Sequence, residues 1–112
     1  MLQKDLKDKT KAWNNLLESV KNNNADIQTW SKRDGDGCYF HPTVSKNKLN
    51  IQKSREEKPS CRIDQVRSID SQQFERVANC FNQYITGEIQ RGEMRNLGWN
   101  TSYIISLIIR FL

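Results

Sequence analysis

Two sets of side chains in this 112-residue chain have the types and spacing to do chemistry. The first mixes basic and aromatic residues. Lys32, Arg33, Tyr39 and His41 surround an Asp-Gly-rich turn, with Trp30 and Phe40 interleaved, and Lys46, Lys48, Lys53 and Arg55 follow at once. Between Gly37 and Arg55 there is no acidic residue. Rings can stack on bases while ammonium and guanidinium groups neutralise phosphates, so this set points to a nucleic acid, DNA or RNA. A solvated basic face or a few core aromatics would produce the same pattern. The second set, Asp34, Asp36 and His41, is the only polar cluster suited to a metal-dependent nuclease. Turn chemistry explains its Asp-Gly steps equally well, because glycine supplies the positive φ of a tight turn.

Cys38, Cys61 and Cys80 complete the reactive inventory. There is no Cys-x-x-Cys pair, and Cys38 and His41 lie three apart on an expected strand, where alternation points them to opposite faces. Zinc is therefore not expected, and neither is any other cofactor. An odd cysteine count beside an amino terminus of mixed charge, without a signal-type apolar core, favours buried free thiols and a cytoplasmic setting.

These residues need a scaffold. The length suits one domain spanning residues 1–112, and a 36 % hydrophobic fraction leaves a thin core. Leu6, Trp13, Leu16, Leu17 and Val20 form a stripe that predicts a helix over Gln3–Lys21, stopped by Asn22-Asn23-Asn24. After the turn at 31–37, Cys38–Val44 reads as a strand, and Leu49–Lys53 alternates as its hairpin partner. Cys61–Val66 reads as a third strand. Phe74, Val77, Ala78, Phe81, Tyr84, Ile85 and Ile89 predict a long helix from the capping residues at 68–71 to Gly92. Gly87 lies inside it at a cost of about 1 kcal/mol.

The chain closes on its one nearly continuous apolar run. Asn100 offers a cap, and Trp99 can pack on Ile104 as a staple. Ile104, Leu107, Ile108 and Phe111 make one face of a helix, while Ile105, Ile109 and Leu112 make a second. The run is too short for a membrane span. The stretch Glu93–Leu107 resembles the second half of a helix-turn-helix motif. Leu97-Gly98 would be its turn, Asn100, Thr101, Ser102 and Tyr103 the groove-facing residues, and Ile104 and Leu107 the pins. An ordinary helical hairpin accounts for the same residues.

The sequence thus predicts an α+β protein: an N-terminal helix, a three-stranded antiparallel meander, and two C-terminal helices packed on it. The expected function is non-enzymatic nucleic-acid binding through a basic hairpin, by Lys32, Arg33, Tyr39, His41, Lys46, Lys48, Lys53 and Arg55. A protein-binding inhibitor or adaptor, acting on nucleic-acid machinery through an interaction face of Ile105, Ile109 and Leu112, is the alternative. Those three residues are expected either to be covered by Trp13, Leu16 and Val20 of the first helix or to form a homodimer contact.

Overall fold

The computed structural model describes residues 3–98 and 100–112. Among these, four helices and a four-stranded antiparallel sheet enclose one hydrophobic core. The order is α1 (Lys9–Lys21), β1 (Ile27–Ser31), β2 (Gly35–Ser45), β3 (Lys48–Lys53), β4 (Arg67–Ile69), α2 (Ser71–Thr86), α3 (Arg91–Arg95) and α4 (Thr101–Phe111). No helix among them is long and apolar enough to cross a membrane.

α1 starts six residues later than its stripe suggests. The Asp8 carboxylate accepts the Lys11 N–H at 3.0 Å, a side-chain cap that fixes the helix start. The preceding segment runs along α2, tied there because Lys4 N–H donates to Asn82 Oδ1 and Asn82 Nδ2 donates back to the Lys4 carbonyl. α2 ends at Thr86, short of Gly92. Gly87 adopts φ 88° and closes the helix as a left-handed cap, so it terminates the element where an interior glycine was expected.

The sheet is a meander of order β1-β2-β3-β4, one strand more than predicted. Ile27–Ser31 is the added first strand. Its partner β2 carries a bulge, where Gly37 and Cys38 stand opposite Thr29 alone. A side chain at residue 37 would meet Thr29 Oγ1 and force that hydroxyl to rotate away. The β2–β3 hairpin forms as expected, through a tight turn in which Lys46 and Asn47 both take positive φ. The predicted strand at Cys61–Val66 is not one. Its alternation is real, since Cys61 and Ile63 are buried, but the free edge of β3 is taken by Arg67–Ile69 instead.

Residues 54–66 therefore form a strap across β2. Tyr39 N–H donates to the Pro59 carbonyl and Cys61 N–H to the Tyr39 carbonyl, both at 2.7 Å. This brings the α-carbons of Cys38 and Cys61 to 5.0 Å, and the two are joined in a disulfide. The expectation of free thiols fails for this pair because proximity came from a backbone bridge that cysteine spacing does not encode. Cys80, half-buried on α2, is free.

One face of the sheet supplies Phe40, Leu49, Ile51 and Ile69 to the core, all fully buried. α4 supplies Ile104, Ile105, Leu107 and Ile108, and Trp13 of α1 meets Phe74 of α2 with ring centroids 5.4 Å apart. α4 packs most extensively on β1, the outer strand, and seals it. Ser106 Oγ accepts the Trp30 N–H at 2.9 Å and donates to the Ser102 carbonyl at 2.7 Å, while Arg110 Nε donates to the Gln28 carbonyl. A fully buried serine inside an apolar helix is explained by the edge amide it satisfies.

Two outcomes follow from these contacts. Ser106→Ala leaves the Trp30 N–H without an acceptor and should lower unfolding free energy by about 1–3 kcal/mol in urea titration, with faster hydrogen exchange at Trp30. Reduction, or the Cys38→Ser/Cys61→Ser double variant, should cost about 3 kcal/mol, the loop-entropy value for a closure of this length, measured by the same titration with and without reductant.

Candidate nucleic-acid interface

The eight residues expected to bind nucleic acid do not share a surface. Lys46 and Lys48 are exposed at the β2–β3 tip, whereas Lys32 and Arg33 lie in the β1–β2 turn at the other end of β2. Ten residue steps at about 3.3 Å separate those ends by roughly 33 Å. Lys53 pairs with Phe40 in mid-strand and Arg55 sits in the strap, both exposed. Tyr39 is half-buried under the strap.

His41 is 2 % exposed and is withdrawn from the interface. Its Nδ1 donates to Asp26 Oδ1 at 2.8 Å. Asp26 in turn accepts the backbone N–H groups of Arg55, Glu56 and Glu57 at 2.8–2.9 Å. Burial alone would raise the Asp26 pKa. The backbone N–H groups of Glu57, Arg55 and Glu56, with the His41 ring, outweigh it and hold the carboxyl well below the usual carboxylate range. The pair is therefore a clamp that fastens the strap to the sheet and encloses the His41 ring.

The nuclease set comes apart too. Asp34 is exposed in the turn, Asp36 is paired with Arg110, and His41 faces Asp26. Among the described residues no group of three or more His, Cys, Asp or Glu side chains can hold a metal ion.

The helix-turn-helix reading fails on burial. The α3–α4 connection exists, but α4 is a core helix, and in its first turn only Ser102 and Tyr103 are part-exposed, along a concave surface that does not project. Thr101 is 3 % exposed and its hydroxyl donates to the Gly98 carbonyl, and Ser102 accepts from Arg91. Asn100 occupies the cap position without capping; its amide reaches the Ser68 carbonyl at 3.4 Å. The proposed staple from Trp99 lies outside the described residues. The expected interaction face is also reduced. Ile105 is 1 % exposed, beside Trp30 and Tyr103, and Ile109 and Leu112 are half-buried against the core.

A different basic surface takes the place of the hairpin. Two adjoining depressions, each of about 440 Å³, meet along Ser31, Asp34 and Arg91. The first is walled by Trp30, Arg67, Arg91, Ser102 and Tyr103, with the Cys38–Cys61 bond at its side. The second is walled by Lys32, Arg33, Tyr84, Arg91 and Arg95. Together they carry five cations, Lys32, Arg33, Arg67, Arg91 and Arg95, against the single carboxylate of Asp34. Asp34 lies 4.0 Å from Arg33 with both groups solvated, so it neutralises little. Arg67 lies over the Tyr103 ring and Lys32 over the Tyr84 ring, at 5.6 and 5.2 Å from the centroids. A larger depression, about 580 Å³ between the N-terminal segment and the end of α4, mixes both signs of charge around Phe111 and Leu112 and gathers no comparable set.

Of the expected binding residues only Lys32 and Arg33 reach this groove. Arg67, Arg91 and Arg95 were missed, since they come from β4 and α3 and nothing local in the sequence ties them to the turn. No family model, curated protein or solved structure matches the chain, so the groove is read from its own chemistry.

The clamp yields a pH test. The folded-state pKa of Asp26 is depressed, so its contribution to stability is complete above the unfolded value near 4 and is lost as pH falls below it. Asp26→Asn should destabilise the protein by about 3 kcal/mol at pH 7, and its stability should fall less than that of wild type between about pH 5 and pH 2 in thermal melts. Parallel pH profiles for the two proteins would contradict the assignment.

Proposed function

We propose that this protein binds nucleic acid through the groove formed by the β1–β2 turn, α3, β4 and the start of α4. The observation that carries the reading is the convergence of five cations, with the Trp30 and Tyr103 rings, on two adjoining depressions. Phosphates are the ligand such a set fits, because several guanidinium groups offer planar, paired donors to anionic oxygens while the rings supply flat apolar contact. The hairpin lysines Lys46 and Lys48, at the far end of β2, serve at most as a remote electrostatic contribution.

A cytoplasmic setting, where nucleic acid is abundant, belongs to this reading, while the 38–61 disulfide argues for an oxidising compartment. In reducing surroundings the 38–61 bond would open, and the Asp26 clamp and the Tyr39 bridge would keep the strap in place.

Arg33→Glu/Arg95→Glu reverses two exposed charges of the groove and should weaken binding to a labelled oligonucleotide at least tenfold by fluorescence anisotropy, whereas Lys46→Glu/Lys48→Glu should change it by less than about threefold. Wild-type affinity should fall with salt at a log–log slope of about −3, as four phosphate contacts on a single strand require. Absence of binding at low salt, or equal losses in the two double variants, would refute the groove.

A further inference from the structure

Resting on the nucleic-acid reading, we infer that the cleft between Trp30, Arg67, Arg91 and Tyr103 is a pocket for one unpaired base, and that the ligand is a single strand. A duplex presents its bases as a closed stack, and a protein reads it by pushing a helix or ribbon outward into a groove. This surface does the opposite. It is concave, with a volume of about 440 Å³, in the range of sites that enclose small organic groups. No helix projects from it, because α4 is held inward by its buried Ile104, Ile105, Leu107 and Ile108. A concave site needs a ligand with a protruding flat group, and an unstacked base on a single strand is one.

The lining fits a base in kind as well as in shape. Its flat groups are the Trp30 indole and the Arg67 guanidinium, which lies over the Tyr103 ring; that ring also meets Phe40 in a T-shaped contact at 5.1 Å and so supports Arg67 from below. Aromatic and guanidinium planes both stack on bases. Arg91 supplies the polar edge. Its Nη2 donates to Ser102 Oγ, and Nη1 is enclosed without an acceptor among the described residues, so the guanidinium is held at the cleft wall and acts on a ligand through its charge. Arg91 also borders the second depression, where Lys32, Arg33 and Arg95 stand, so a strand whose base enters the cleft leaves its flanking phosphates beside those cations. Phosphates and base are thereby assigned to different halves of one groove.

The test compares three probes on the full wild-type chain by anisotropy at low salt: a thymidine strand of about twelve nucleotides, an abasic strand of the same length, and a duplex. The thymidine strand should bind about tenfold more tightly than either of the others, and Tyr103→Leu should erase that margin. Equal wild-type affinities for thymidine and abasic strands, or tighter binding of duplex, overturn the base pocket while the polyanion reading survives. Failure of all three probes to bind removes both. If Tyr103→Leu does not fold, the wild-type margin decides alone.

Discussion

The seal between α4 and the outer edge of β1 is the contact on which the rest of the molecule depends. An edge strand carries unpaired amides, and the β1–β2 ladder is also interrupted by a bulge. Ser106 resolves both problems by accepting the Trp30 N–H from inside an apolar helix, with Arg110 meeting the Gln28 carbonyl one turn on. The contact explains why α4 must be apolar around most of its circumference. One side meets the core and another meets β1. It also sets the groove, because Trp30 and the β1–β2 turn take their positions from this docking, and Ser102 and Tyr103 come from the same helix.

The parts of the fold that were legible in the sequence are those fixed by neighbours along the chain. The stripes of α1 and α2, the Lys46–Asn47 turn and the apolar run of α4 all follow from local spacing and turn chemistry. The errors share a different cause. Gly87 has the same identity whether it weakens a helix or ends one, and only its left-handed φ decides. Cys61–Val66 alternates like a strand, yet which segment pairs with β3 is settled by competition for one edge, and Arg67–Ile69 wins it. The 38–61 disulfide depends on the same non-local event, the docking of the strap on Tyr39.

The functional surface was less legible for the same reason. Basic residues close in sequence, from Lys46 to Arg55, are drawn apart along an extended strand that spaces its residues widely. Basic residues distant in sequence, Lys32, Arg67 and Arg91, are drawn together by the packing of a turn, a short strand and a one-turn helix. His41 illustrates the opposite failure. Its chemistry suggested a site, and its alternation on β2 placed it on the polar face of the sheet, but Asp26 and the strap convert that face locally into an interior.

The strap itself has a property that its separate contacts do not show. It is fastened at three points by three unlike chemistries: a carboxylate gripping backbone amides, a main-chain bridge to Tyr39, and a sulfur–sulfur bond. Strong acid attacks the first and a reductant attacks the third, while neither touches the second. The agents that release one fastening leave the others closed, so the strap has no single environmental trigger. Through Cys61 it borders one side of the groove, which is thereby held by contacts of more than one chemical kind.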